Sequence, residues 1–177
     1  MPEEKRMPRN FNAGRSIMEA AIRRVDPVRM ITDCVSLQGE ELRIATEHDS
    51  YSLSLENFRR IVVLGAGKAG ASMAYGLESV LGDRIDDGLV SVKYGHIGSP
   101  GQRPARVRLI EAGHPVPDEK SLKAGREIAS MAMAADKDTL ILVVISGGGS
   151  ALLTLPAEHG ITVVDLEDIR QTTELLL

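Results

Sequence analysis

Arg60-Ile61-Val62-Val63-Leu64, running into Gly65-Ala66-Gly67-Lys68-Ala69-Gly70, is the stretch on which the fold turns. Five residues, most of them apolar and β-branched, read as a buried strand. The glycines that follow make a tight loop, and Ala71 to Leu81 has the composition of a helix. Strand, glycine loop and helix in that order open a βαβ unit. The same alternation continues toward the carboxyl end. Gly88-Leu89-Val90-Ser91-Val92 reads as a second strand. Ala105–Glu111 alternates and reads as a third, with Val107 and Leu109 pointing one way. Asp118 to Ala134 reads as a helix with Asp118 as its N-cap, and Thr139–Ile145 is the most apolar strand. Pro100 to Pro104 between them is expected to be an exposed loop. Strands and helices alternating at this spacing predict a parallel sheet with right-handed crossovers.

Toward the amino end the pattern loosens. Leu42–Ala45 and Tyr51–Leu55 are short extended runs that can pair as a hairpin. Ala13 to Val25 has helical periodicity, with Ile17, Ala20, Ala21 and Val25 on one side. Asp26-Pro27 breaks it and can start a second helix reaching about Val35. The predicted fold is therefore α/β: a three-layer, Rossmann-like, mostly parallel sheet with helices on both faces and the amino-terminal helices at one side. In open sheets of this kind ligands bind at the carboxyl ends of the strands.

Composition agrees with that class. Of 177 residues, 43% are hydrophobic but only 3% aromatic, so the core must be aliphatic. A net charge of -4 without a long basic run argues against a nucleic-acid partner. Cys34 is the only cysteine, which rules out an internal disulfide. Met1 to Asn10 is polar and lacks the apolar stretch of a signal peptide, and no apolar run is long enough to span a bilayer. The expected compartment is the cytoplasm. From Asp165 the chain reads as a helix that stops at Leu175-Leu176-Leu177 without a cap, a glycine or a basic last turn. The expectation is one amino-terminal α/β domain over 1–177, incomplete at its carboxyl end, from a longer protein.

Two loops carry the candidate chemistry. Gly65, Gly67 and Gly70 fit the G-x-G-x-x-G pattern, and a helix amino terminus offers free N–H groups to an anion. A dinucleotide site would place a carboxylate after the next strand; here Lys93 and Tyr94 follow Val92, and Asp86 and Asp87 lie at the wrong end. Lys93 would still suit an NADP phosphate. Lys68 either sets an ammonium where a phosphoryl group carries charge or is a solvated lysine on a first helical turn. The second loop, Ser146-Gly147-Gly148-Gly149-Ser150, follows the most apolar strand. Three successive glycines there contribute no packing and suit N–H groups converging on an anion. Ser146 and Ser150 could add hydroxyl donors, or one could face a metal ion. Between the loops, Gly113-His114-Pro115-Val116-Pro117-Asp118 is stiffened by its prolines, which either aims His114 at the site or simply connects a strand to a capped helix. His48, His96 and His159 read as surface residues, and no His/Cys cluster has metal spacing.

Taken together, Gly65-Ala66-Gly67-Lys68-Ala69, Gly113-His114-Pro115-Val116-Pro117-Asp118 and Ile145-Ser146-Gly147-Gly148-Gly149-Ser150-Ala151-Leu152 resemble the glycerate 2-kinase family, the enzymes with a carboxyl-terminal MOFRL domain that are often labelled hydroxypyruvate reductases. Asp165 to Leu177 resembles theirs too. The main departure is length, since family members are more than twice as long and carry a second domain that closes the cleft. The resemblance implies transfer of the ATP γ-phosphoryl group to the 2-hydroxyl of D-glycerate, with Mg²⁺. It implies that Lys68 stabilises the transferring phosphoryl group or the glycerate carboxylate, and that Gly147, Gly148 and Gly149 cradle phosphate. Ser146 and Ser150 would add hydrogen bonds or reach the metal. A further basic residue is expected from the second domain, so these 177 residues alone are expected to be nearly inactive. Two other readings stand beside this one: an NADP-dependent hydroxypyruvate reductase, which has no role for the second loop or Lys68, and a non-catalytic sugar-phosphate-binding module. The first 60 residues could form a helical edge or a homodimer contact.

Overall fold

A computed structural model describes residues 9–156, 158–159 and 162–177. Two helices open the chain, α1 (Arg9–Arg24) and α2 (Pro27–Cys34), the second capped by Asp26, whose carboxylate accepts the Arg29 N–H. A three-stranded antiparallel meander follows: β1 (Val35–Gln38), β2 (Glu41–Ala45) and β3 (Ser50–Ser54). The expected hairpin is β2 and β3, in register Leu42↔Leu53. The strand before it was hidden by the expectation that α2 runs to Val35; the helix ends one residue earlier, and buried Val35 begins β1.

The main sheet is built from β4 (Arg60–Ala66), β5 (Asp87–Lys93), β6 (Arg108–Ala112) and β7 (Thr139–Ile145). All are parallel, in the order β6-β5-β4-β7. Its alternation sorts two cores. Ile61, Val63, Val90, Val92 and Val144 face α3 (Gly70–Leu81), with β1–β3 packed into the same cluster. Val62, Leu64 and Leu89 face the other way, onto Ile128 of α4 (Glu119–Met133). Helices therefore cover both faces, as the period-two patterning of buried strands requires. On the first face α2 packs across α3 at Gly76, where an added Cβ would come within 2.9 Å of Ile31 Cβ. By contrast α1 leaves its apolar side open; Ile17 is 72% exposed.

Two further boundaries differ from the sequence reading. The third strand starts at Arg108 rather than Ala105, because the Glu78 carboxylate accepts the N–H groups of Ala105 and Arg106 and holds them out of the ladder. The most apolar strand, β7, lies at one side of the sheet, so Val143 and Ile145 are 61% and 65% exposed. After it come a single helical turn, α5 (Gly149–Leu152), the strand pair β8 (Glu158–His159) and β9 (Thr162–Val163), and α6 (Leu166–Leu176), which is capped by Asp165. Buried Leu166 anchors α6, while Leu175, Leu176 and Leu177 stand exposed. No helix among the described residues is long and apolar enough to cross a membrane.

Candidate functional site at the carboxyl ends of the strands

β4 and β7 are neighbours, so the glycine loops that leave their carboxyl ends lie side by side. They are laced together. Ser146 donates its N–H to the Ala66 carbonyl at 3.1 Å, and Lys68 donates its N–H to the Gly147 carbonyl at 3.0 Å. Ala69 donates its N–H to Ser146 Oγ at 3.0 Å. Gly67 makes the lacing possible. It sits at φ +137°, and a Cβ there would collide with Ser146 Oγ and lie 2.7 Å from its carbonyl oxygen. Gly65 belongs to the strand itself, where its bare Cα lets the Val144 backbone approach.

The two loops differ in what they leave free. Gly67 donates its N–H to the Ser91 carbonyl and Gly70 to the Gly67 carbonyl, both at 3.0 Å. With Lys68 and Ala69 also engaged, all four N–H groups of Gly67–Gly70 are used within the protein. The expectation that this loop turns these donors toward an anion is therefore not what the geometry provides; Gly65 and Gly67 are there for close approach. In the second loop the N–H groups of Gly147, Gly148, Gly149, Ser150 and Ala151 meet no acceptor among the described residues. A run of unspent N–H groups after a strand is the geometry of an anion nest. Ser150 is exposed beside it.

Lys68 and His114 flank this nest. Lys68 is exposed and forms no ion pair among the described residues; a Cβ added at Gly147 would lie 3.9 Å from Lys68 Cε. Gly148, at φ +92°, faces the His114 ring, and a Cβ there would come 2.5 Å from Cδ2 and 2.6 Å from Nε2. The imidazole thus forms a wall of the second loop. Burial first, then the charges of Lys68 and Lys93, hold the His114 imidazole below its ordinary pKa. The ring is therefore neutral at physiological pH and can hydrogen-bond as donor or acceptor.

The segment that carries His114 is fixed from both sides. Asp118 caps α4 through the N–H groups of Lys120 and Ser121 and accepts the Tyr94 hydroxyl at 2.7 Å. Burial pulls the Asp118 carboxyl upward, but the Tyr94 hydroxyl and the N–H groups of Ser121 and Gly113 outweigh it and hold it below the usual carboxylate value. The expected capping by Asp118 and the aiming of His114 thus coexist in one connection.

Carboxylates are spent elsewhere. At the opposite end of the sheet Asp87 pairs with Arg60 at 3.0 Å, and Asp86 accepts the Ile61 N–H at 2.7 Å. Neither can serve as the ribose acid of a dinucleotide site. Among the described residues no group of three His, Cys, Asp or Glu could hold a metal ion. The described residues thus supply no Mg²⁺ cage of their own. His48 and His96 are exposed as expected, while the side chain of His159 lies outside the described residues. Lys93, which the sequence offers only to an NADP phosphate, lies close to the His114 ring. It ends β5 opposite Ala112, two residues before His114. The alternation that puts Val90 and Val92 on the α3 side was the available signal for its place.

Comparison with known proteins bears on this geometry. Residues 13–177 match the family described as "Domain of unknown function (DUF4147)". The chain is 35% identical over 164 residues to a glycerate 2-kinase of Pyrococcus horikoshii, covering 93% of this chain and 34% of that protein. Its fold superposes on a crystal structure of a Pyrococcus horikoshii OT3 protein with a TM-score of 0.77 at 32% identity, and on that of a glycerate kinase from Thermotoga maritima with a TM-score of 0.70 at 30% identity. Each superposition covers 96% of this chain and 35% of the other. The chain spans about a third of the length of these relatives.

Proposed function

We propose, from the premise that this chain belongs to the DUF4147 family, that it is the amino-terminal part of a kinase transferring the γ-phosphoryl group of ATP to the 2-hydroxyl of D-glycerate. The observation that carries the reading is the row of five unspent N–H groups from Gly147 to Ala151 with the Lys68 stem lying over its first glycine.

Phosphoryl transfer needs positioning and charge stabilisation rather than covalent chemistry from the protein. The substrate hydroxyl oxygen forms a bond to γ-phosphorus as the bond to the ADP oxygen breaks, and the hydroxyl proton passes to a transferred phosphoryl oxygen or to water. Gly147, Gly148 and Gly149 hold phosphate oxygens through their N–H groups, and Ser150 adds a hydroxyl. Lys68 carries the positive charge that meets the transferring group. Ser146 acts first as an acceptor, fixing Ala69 and hence the root of the Lys68 side chain. Neutral His114, packed on Gly148, closes one wall and offers a hydrogen bond. The described residues offer no group of three carboxylates or imidazoles to hold Mg²⁺; any such ion would have to be held largely by the nucleotide, where it would supply charge neutralisation.

The test is made on the complete polypeptide, incubated with D-glycerate and ATP and, in parallel, with hydroxypyruvate and NADPH. ATP-dependent formation of 2-phosphoglycerate is the expected result. Consumption of NADPH without phosphorylation would replace the reading with a reductase. In the active protein, Lys68→Ala lowers kcat by about a hundredfold, the order for losing one charge stabiliser. Unchanged turnover would remove Lys68 from the mechanism.

A further inference from the structure

Lys93 has no place in the reading so far. Strand geometry fixes where it points. Successive side chains of β5 alternate between the two faces of the sheet. Val90 and Val92 lie in the core on the α3 side. Ser91 lies on the other side, fully buried, and its hydroxyl donates to the Leu152 carbonyl of α5. Lys93 is two residues on and shares that side. It is also the last residue of the strand, at the carboxyl edge of the sheet, paired with Ala112, two residues before His114.

The surroundings of Lys93 make it an anion site. It is half-buried and forms no ion pair among the described residues. After burial, the charges that most lower the His114 pKa are the ammoniums of Lys68 and Lys93. Two carboxylates of the surrounding segments are held in hydrogen bonds of their own: Asp118 holds Tyr94 and the α4 amino terminus, and Glu111 accepts the Gly95 N–H at 2.6 Å. Lys68 and Lys93 thus both act on the His114 imidazole, and neither forms an ion pair among the described residues. The tetrahedral anion is already provided for by the row of N–H groups at Gly147–Ala151. A separate point charge with a neutral hydrogen-bonding ring beside it suits a planar carboxylate.

We infer that Lys93, with His114 beside it, is the specificity-determining element that recognises the carboxylate of the 2-hydroxy acid. The inference rests on the proposed kinase reading. Lys68 is then left to the transferring phosphoryl group, and the acid is oriented with its 2-hydroxyl toward the cradle.

The test uses the complete polypeptide with Lys93→Met, which keeps the length and apolar stem of the side chain, and with Lys93→Arg, which keeps the charge. Thermal melts establish that both variants fold. Lys93→Met raises KM for D-glycerate roughly tenfold to a hundredfold, the range for losing a charged hydrogen-bond partner, while KM for ATP moves less than about twofold. The preference for D-glycerate over glycerol, which lacks the carboxylate, falls by the same factor, and Lys93→Arg recovers most of it. A rise in KM for ATP instead, or an unchanged preference over glycerol, overturns the inference. Calorimetric titration with D-glycerate supplies a readout independent of turnover. Weakened binding in Lys93→Met supports the carboxylate site even if the wild type transfers no phosphate, a result that would sink the kinase reading alone. Undiminished binding overturns the carboxylate site even if the kinase reading holds.

Discussion

The two glycine loops sit side by side and look alike in sequence, yet they are opposite in what they offer. Gly67–Gly70 has every N–H engaged within the protein, whereas Gly147–Ala151 has none engaged among the described residues. The first is a strut, while the second keeps the free donors that the proposed phosphate site requires. A glycine motif alone does not tell these apart, because glycine permits close backbone approach whether the neighbour is a ligand or another strand. What distinguishes them is where the donors go.

Substitutions at the two loops should separate stability from binding. The largest effect is expected at the strut. Gly67→Ala puts a Cβ onto Ser146 at a backbone angle of φ +137° and meets a backbone carbonyl that cannot swing aside. A loss of about 3 kcal/mol in urea unfolding is expected, combining strain with collision; a loss below about 0.5 kcal/mol would end the strut reading. Gly148→Ala meets only the His114 ring, a side chain that can rotate away, at φ +92°. It should cost about 1 kcal/mol of stability but weaken phosphate or ATP binding disproportionately, since the ring and the nest move together. Equal losses in both would erase the distinction between the loops.

Two smaller effects sharpen it. Ser146→Ala removes the acceptor of the Ala69 N–H. About 1 kcal/mol should be lost for the unmet donor, with the Lys68 ammonium less well placed, so that in the complete polypeptide kcat falls more than KM for ATP rises. The last effect is pH-dependent. The folded-state pKa of His114 lies below its ordinary value, so the unfolded chain binds the proton more readily. Stability therefore falls as pH drops through the ordinary imidazole value of about 6.5. His114→Gln should flatten the dependence of the melting temperature on pH between about 7.5 and 5.5. An unchanged slope would mean the ring does not occupy this cationic, half-buried position.

Much of this was legible in the sequence, for reasons that also mark where legibility ended. Strands β4, β5 and β7 are contiguous apolar runs bounded by glycine or charge, and each falls within two residues of its expected bounds. Asp118 was readable as a cap because a short carboxylate before a helical run has few other uses. Long-range hydrogen bonds were not readable. Nothing local announces that Glu78 holds Ala105 and Arg106 out of β6, or that Ser146 is an acceptor for Ala69. The resemblance to glycerate 2-kinases named the right family. It could not say which loop keeps its donors free, since that depends on the spatial neighbours β4 and β7, which are separated by more than seventy residues of chain.

The contrast between the loops is tested most directly by amide NMR of the 177-residue chain titrated with ADP and, separately, with inorganic phosphate. The N–H resonances of Gly147–Ala151 should shift and gain protection from hydrogen exchange, while those of Gly67–Gly70, already protected, stay in place. Shifts centred on Gly67–Gly70 with Gly147–Ala151 unmoved would contradict the account and return the phosphate site to the first loop.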